Sequence, residues 1–253
     1  MILFTPLEQF QVLPFFSSDL FHLGLCVTNI ILVTVLILIF FCLFIWLFSS
    51  YDQTFYVIPN NWQVLLEMIF DMISQLLFDN LNKKGEIYFP FILTIFLFIM
   101  LSNLVGLIPY SFTITSHIII TFTLSLTIFI GVNIISIHIY KLKMLSLFIP
   151  ANTSIGLALL LVPIEFISYV FKPISLGVRL FANLMAGHTL LKVIVGFSWT
   201  MVFLNNYILS AIHIFPLLIL ILLFGLELGV ALIQAYVFTI LTCIYLNESI
   251  NLH

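Results

Sequence analysis

The chain has 253 residues, of which 63% are hydrophobic and only 7% are charged. A soluble domain carries about 25% charged residues, so this composition excludes a soluble globular protein, and its high hydrophobicity excludes a disordered one. The net charge of −3 leaves no basic surface for nucleic acid. The composition therefore predicts an all-α polytopic membrane protein in which residues 1–253 form a single membrane domain.

The first two predicted elements are a membrane span at residues 23–50 and an amphipathic helix at residues 60–80. No charged side chain occurs between His22 and Asp52, and about 20 apolar residues suffice for a span. In the second segment the apolar side chains recur at helical spacing. They are Trp62, Leu65, Leu66, Ile69, Ile73, Leu76 and Leu77. We expect this helix to lie in the membrane interface; packing against a soluble partner is the alternative.

A helical hairpin is predicted at residues 87–140, because this stretch contains no Lys, Arg, Asp or Glu and is long enough for two spans. The turn is expected near Ile108–Ser111. Lysines flank both open ends of the hairpin, at positions 83, 84, 141 and 143. The positive-inside rule therefore places those ends, and the amphipathic helix, on the inner side of the membrane.

A second, longer hairpin is predicted at residues 156–250, with arms at about 156–192 and 205–248. Arms of this length would measure ~50–65 Å as helices, whereas the hydrocarbon core is ~30 Å thick. The two helices must therefore tilt strongly or kink, with Pro163, Pro173 and Pro216 as candidate kinks. The chain would then cross the membrane about five times, with one interfacial helix and an inner C-terminus.

Most ionisable groups are expected in loops or at span ends, but four groups of the long hairpin are not, namely Glu165, Arg179, His188 and Glu227. A charge in the middle of a bilayer costs ~2.5–3.5 kcal/mol on insertion scales, so such residues usually face a partner or a water-filled cavity. We interpret them as an ion or proton pathway. The alternative is a buried salt bridge that holds the two arms together.

The only arginine of the chain lies on a helix face of small and polar residues. Arg179, Ala182, Asn183 and Ala186 follow the i, i+3, i+4, i+7 spacing, and small side chains let another membrane helix approach closely. His188 is nine residues further on, roughly half a turn away around the helix. The two groups are therefore expected to serve different compartments.

The last arm carries a second polar face. Glu227 and Gln234 are seven residues apart and share a face at a separation of ~10 Å. Gly225 and Gly229 form a small-xxx-small pattern that predicts close packing against the preceding arm. The three cysteines have no paired spacing, which argues against a disulfide framework or a metal cluster.

The segments PISLGVRLFANLMAGH and LELGVALIQAYVFTILTCIYL resemble subunit a (subunit 6), the membrane stator family of F-type ATP synthases. The resemblance extends to IPANTSIG and LVPIEFISYVFKP, and the opening TPLEQF is similar to mitochondrial members. It implies a subunit that offers two offset proton half-channels to the carboxylates of a rotating c-ring and so couples proton flow to rotation.

The resemblance also assigns roles to individual residues. Arg179 matches the essential arginine between the half-channels, and Asn183 and Gln234 match its polar neighbours. His188 and Glu227 match the half-channel open to the intermembrane space. Glu165 matches the acid of the matrix half-channel, and Glu248 an acid near the channel mouth. The residues implied in proton translocation are therefore Arg179, Asn183, His188, Glu227, Gln234, Glu165 and Glu248.

The resemblance further implies the surroundings of the chain. The expected partners are the c-ring proteolipid subunits and the peripheral-stalk and other membrane-sector subunits, in a complex that could be dimeric. The expected location is the mitochondrial inner membrane, with the N-terminus in the intermembrane space and the C-terminus in the matrix. No cofactor or metal is implied. The sequence has no GxxxxGK[ST] loop, so ATP chemistry is expected in another subunit. The choice between proton and sodium stays open.

Three other functional classes compete with this interpretation. A stand-alone ion-coupled transporter would also place charges inside the membrane, but it predicts inverted repeats, which the sequence lacks. A haem- or quinone-binding subunit would need paired histidines, and His117, His138, His188 and His213 are not spaced as pairs. A purely structural scaffold does not account for Arg179 in mid-helix.

Overall fold

The computed structural model describes residues 7–17, 26–51, 61–108, 111–141, 155–203 and 214–251. These ranges contain one short antiparallel strand pair and six α-helices, with 3₁₀ turns at Glu8–Phe10, Asn82–Tyr88 and Ile114–Ser116. The strands are β1 (Pro14–Ser17) and β2 (Cys26–Thr28). The helices are α1 (Asn29–Tyr51), α2 (Asn61–Leu81), α3 (Phe89–Gly106), α4 (Ile118–Tyr140), α5 (Ile155–Phe203) and α6 (Ile214–Ile250).

The helix lengths confirm an all-α membrane protein of several spans. Four helical stretches are long and apolar enough to cross a membrane, and they lie in α3 with its preceding turn, α4, α5 and α6. Helix α1 has 23 residues and no charged side chain, which also meets the ~20-residue requirement for a span. Helices α5 and α6 contain 49 and 37 residues, or ~74 and ~56 Å. Their strong tilt in the bilayer stays a prediction.

The turn of the hairpin predicted at residues 87–140 is found between Gly106 and Ile118. The hydroxyl of Ser111 donates to the carbonyls of Val105 and Gly106, at 2.7 and 3.2 Å, and so satisfies carbonyl groups that the end of α3 leaves free. A Cβ atom at Gly106 would lie 2.8 Å from Cγ2 of Thr113, so any other residue here would have to displace the Thr113 side chain. Residues 109 and 110 lie outside the described ranges.

The chain forms two compact units, and helices α1, α3, α5 and α6 contribute residues to both. The first unit comprises Met1–Ser49, Phe98–His117 and Leu180–Ala235, and the second comprises Ser50–Leu97, Ile118–Arg179 and Tyr236–His253.

In the first unit, α6 packs against α3 and α5. The amide nitrogen of the Asn103 side chain in α3 donates to the carbonyl of Ala231 in α6 at 3.2 Å. Leu180 and Leu184 of α5 are buried, as is Ala231. The polar His188–Glu227 contact between α5 and α6 belongs to the same unit. Its interior therefore combines apolar packing with polar groups.

In the second unit, α5 approaches α4 closely at Gly177. A Cβ atom there would lie 2.7 Å from Oγ of Ser125, 3.1 Å from the carbonyl oxygen of Thr121 and 3.2 Å from Cα of Phe122. Small residues permit such close helix contacts where no hydrophobic force distinguishes helix from lipid. The absence of a side chain at position 177 thus fixes how near these two helices lie.

Helix α2, also in the second unit, buries only part of its predicted apolar stripe. Ile73, Leu76 and Leu77 in its C-terminal half are buried, whereas Leu65 is 47% exposed. The ring of Phe70 contacts that of Phe89, with centroids 5.4 Å apart. The C-terminal half of α2 therefore packs within the protein, and apolar side chains of its N-terminal half are exposed. Its position in the membrane interface stays a prediction.

The prolines of the long hairpin behave differently from one another. Pro163 and Pro173 lie inside α5, which runs on to Phe203, 11 residues beyond the predicted end of that arm. Pro216 lies in the first turn of the described part of α6. The kinks proposed at the three prolines stay a prediction.

Candidate functional site

The centre of the candidate site is a buried contact between α5 and α6 in the first unit. Nδ1 of His188 lies 3.1 Å from Oε1 of Glu227, and the glutamate is only 5% exposed. Glu227 is thus a carboxyl group inside a membrane helix with one basic neighbour. An imidazole and a carboxyl at this distance are within reach of proton exchange.

Gly187 makes the space for this carboxyl group. A Cβ atom at position 187 would lie 2.8 Å from Oε1 of Glu227, 3.2 Å from its Cδ and 3.4 Å from its Cγ. Real Cβ atoms do not approach this closely, so any larger residue would have to displace the glutamate side chain. The glycine that precedes His188 therefore sets the position of Glu227.

The glycines of α6 do not play the predicted role. No atom lies within 4 Å of a Cβ built at Gly225 or Gly229. Both are two residues from Glu227, which is ~200° around a helix, so they point away when Glu227 faces α5. The prediction that they pack against the preceding arm was wrong, and the close approach is made by Gly187 of α5 instead.

Several polar atoms of the first unit are buried without a hydrogen-bond partner in the described ranges. Buried polar groups nearly always have partners, and water supplies them where the protein does not. These groups belong to Gln9, Asn103, Thr115, His117, His188 (Nε2) and Glu227. Oε1 of Glu227 is close to Nδ1 of His188 but does not have the geometry of a hydrogen bond. The first unit thus holds both the His188–Glu227 contact and most of the unpaired buried polar atoms of the described ranges.

The face of α5 that carries Arg179 is exposed, as its spacing predicts. Arg179, Ala182, Asn183 and Ala186 are all exposed, whereas Leu184 on the other side of the helix is buried. Among the described residues no acidic side chain lies within ion-pair distance of the arginine. The guanidinium group is therefore available to a partner outside this chain.

The remaining predicted residues are distributed along α5 and α6. Glu165 and Gln234 are half-buried, and neither contacts another predicted site residue in the part of the chain that is described. Glu248 forms an ion pair with Lys172, whose ammonium group lies over the rings of Tyr169 and Tyr245. The structure thus brings His188 and Glu227 together, and it gives Glu248 a partner that the sequence did not suggest.

Comparison with known proteins identifies the family. The family model described as "ATP synthase A chain" matches residues 30–247. The chain belongs to this family. It is 53% identical to ATP synthase subunit a of Pylaiella littoralis, over 98% of this chain and 99% of the relative. It is 47% identical to that of Chondrus crispus, over 100% and 98%, and 45% identical to that of Brassica napus, over 98% and 97%.

Family membership confirms the resemblance drawn from the motifs around Arg179 and Glu227. The chain is a multi-pass membrane subunit of an ATP synthase, with a role in ATP synthesis and proton transport. The described residues include no group of three or more His, Cys, Asp or Glu side chains arranged to hold a metal. His188 and Glu227 would supply only two of the four ligands that zinc usually takes.

Asn103 is a polar residue of the first unit that sequence reasoning missed. It is 1% exposed, its amide nitrogen donates to Ala231 one turn beyond Glu227, and its Oδ1 has no partner in the described ranges. The available signal was an amide side chain within a span that has no charged residue. Such polar residues in membrane helices usually serve packing or function.

Proposed function

We propose that this chain is the non-catalytic, proton-conducting stator subunit of the membrane sector of an F-type ATP synthase. It offers two offset half-channels to the carboxylates of a c-ring, and Arg179 separates them. The observation that carries the proposal is the exposed Arg179, which stands on a face of small residues with no acidic partner among the described residues of its own chain.

A guanidinium in this position requires a counter-charge from another molecule. Arginine stays protonated under all physiological conditions, and an unpaired charge in the bilayer is costly. Ala182 and Ala186 leave room for a second helix to approach the charge. A carboxylate on such a helix would neutralise Arg179, and the helix would fit beside the two alanines. The c-ring subunits of this family would provide such a helix.

The path of each proton around the ring follows from the charge states of the ring carboxyl. A protonated carboxyl is neutral and can face lipid, whereas an ionised one cannot. Opposite Arg179 the ionised form is favoured, because the adjacent positive charge stabilises it. The acid therefore releases its proton on one side of Arg179 and takes up another on the other side, so that each proton travels around the ring between the half-channels.

His188 and Glu227 form the outer half-channel in this proposal. Their 3.1 Å contact lets a proton pass between imidazole and carboxyl, and the unpaired polar atoms of the same unit favour water in the path. Glu165 serves the inner half-channel. Asn183 and Gln234 match the polar neighbours of the family's arginine, and we assign them to the proton path as uncharged polar groups.

The energy available is sufficient for a coupling role. Each proton that crosses 100 mV releases ~2.3 kcal/mol, so several protons per ATP are needed. The ATP chemistry belongs to another part of the complex, since the sequence lacks a phosphate-binding loop. This chain contributes the proton path and the fixed positive charge of Arg179.

The surroundings follow from the same proposal. The partners are the c-ring proteolipids and the peripheral-stalk and other membrane-sector subunits, in the mitochondrial inner membrane. The lysines at positions 83, 84, 141 and 143 favour a matrix position for the ends of the first hairpin. The N-terminus then lies in the intermembrane space and the C-terminus in the matrix.

The test is the Arg179→Ala variant in assembled complexes reconstituted into vesicles. We expect ATP synthesis driven by a proton gradient to be abolished, while the amount of assembled complex stays near wild type. Lys192→Ala is the matched control, because it removes the lysine that follows Arg179 in the same helix. Wild-type synthesis by an assembled Arg179→Ala complex would refute the proposed role.

A further inference from the structure

Lys172 is the centre of a set of contacts in the second unit that the proposed proton path does not use. Its ammonium group forms an ion pair with the carboxylate of Glu248, and so connects α5 to α6. It also lies 5.5 Å from the centroid of the Tyr169 ring and 5.3 Å from that of Tyr245. The cation is therefore held by one carboxylate and two aromatic faces.

The contacts extend from these residues to α4. The hydroxyl of Tyr169 donates to Oδ1 of Asn133, and the Tyr169 ring packs on Phe129 with centroids 5.0 Å apart. The hydroxyl of Tyr140 donates to the carbonyl of Ile250 at the end of α6. Three helices of the second unit are thus joined by specific polar contacts, which define both their rotation and their register.

The environment makes this pair more important than an ordinary surface ion pair. In water, side chains that are 29% and 42% exposed, as those of Lys172 and Glu248 are, would gain little from pairing. Both residues, however, lie in helices that are apolar enough to span a membrane. Removing either partner there leaves the other as an unpaired charge, which is costly in a bilayer.

Lys172 also lies close to Arg179 along α5. Lys172 and Arg179 are seven positions apart, which places them ~10 Å apart along the axis and within ~20° of each other around the helix. Tyr245 lies within electrostatic range of both Glu248 and Arg179. A change in the rotation of α5 at Lys172 would therefore change the direction of Arg179.

We propose that Lys172 and Glu248 are a positioning pair that fixes the rotation and register of α5 against α6 and thereby orients Arg179. The inference rests on the proposed role of Arg179, and it replaces the expectation that Glu248 itself carries protons near the channel mouth. A relay acid must accept a proton in every cycle. Protonating Glu248 would leave the Lys172 ammonium without its counter-charge.

The test compares four variants of the intact complex in vesicles: Lys172→Met, Glu248→Gln, the exchange Lys172→Glu with Glu248→Lys, and Lys172→Arg. ATP-driven proton pumping is normalised to assembled complex. Each neutral single variant should pump roughly three- to tenfold more slowly, because fewer complexes hold Arg179 in the competent direction. The exchange should recover most of the wild-type rate. Lys172→Arg should stay near wild type, since a guanidinium also pairs with carboxylate and stacks on rings.

The exchange tests the ion pair itself, because it restores the pair with its charges reversed and moves the carboxyl group from α6 to α5. Recovery above both single variants supports a positioning pair, and no recovery overturns it. If the exchange does not assemble, the pH profile of Glu248→Gln decides. A uniform decrease at every pH supports positioning, whereas a changed profile means that Glu248 exchanges protons and overturns the inference.

Arg179→Ala is measured beside these variants to separate the two proposals. Undiminished pumping in Arg179→Ala would refute the role of Arg179 itself. Loss of pumping there, together with no recovery in the exchange, would refute only the positioning pair.

Discussion

Gly187→Ala gives the sharpest test of the His188–Glu227 contact. In most helices this change would be stabilising by about 0.5–1 kcal/mol, because alanine has the higher helix propensity. Here the added methyl group would lie 2.8 Å from Oε1 of Glu227. The carboxyl group must move, and a rotamer displaced by ~30° costs about 0.5–1.5 kcal/mol. The two contributions nearly cancel, so the folded complex should survive.

The expected effect is on proton transfer. His188 and Glu227 are 3.1 Å apart, near the upper limit of ~3.2 Å for direct transfer. Moving the carboxyl away breaks that contact, and general acid–base groups contribute ~10²–10⁴-fold to such steps. We expect pumping by Gly187→Ala to fall at least ~10-fold, since water can restore part of the path.

The assay is ATP-driven acidification of vesicles per assembled complex. Gly131→Ala is the matched control, because it adds the same methyl group in mid-helix where no atom lies within 4 Å. It should leave pumping unchanged. Full pumping by an assembled Gly187→Ala complex would refute the reasoning that this glycine positions Glu227.

Four further predictions follow from the same geometry. Glu227→Gln should slow proton flux far more than it lowers assembly, and unchanged flux in vesicles would rule out a relay. Asn103→Ala should lower the thermal stability of the purified complex by about 1–3 kcal/mol, since it removes a buried hydrogen bond and side-chain volume; a melting scan checks this. Gly177→Ala should destabilise the complex by about 1–3 kcal/mol through overpacking, with partial rescue by Ser125→Ala; equal stability of the single variant would contradict it. Burial lowers the pKa of His117 from its ordinary 6.5, so the folded state loses stability as pH falls below that value. His117→Phe should therefore reduce the dependence of the melting temperature on pH between pH 5 and 7.

Periodicity predicted the parts of the fold that depend on one helix at a time. The uncharged runs gave the spans, and the 3.6-residue period separated the exposed face of Arg179 from the buried face of Leu184. The turn near Ser111 was predicted from the length of the uncharged run. Each of these features is decided by residues close together in the chain.

Contacts between helices were not predictable in the same way. A small-xxx-small pattern shows which face of a helix is small but not whether a neighbour lies against it. Gly225 and Gly229 were therefore predicted to pack against the preceding arm, whereas the close contact is made by Gly187. Lys172 and Glu248 are 76 positions apart, and Asn103 and Ala231 are 128 apart. Such pairs are decided by how helices assemble, which periodicity within one segment does not contain.

The central claim is that the guanidinium of Arg179 pairs with a carboxylate that another chain supplies. A density map of the complete complex tests it most directly, through the distance from this guanidinium to the nearest carboxylate. We expect a rotor carboxylate to be the nearest acid and to pass within about 4 Å of the guanidinium in some rotary positions. A guanidinium neutralised by an acidic side chain of its own subunit, and turned away from the rotor, would contradict it.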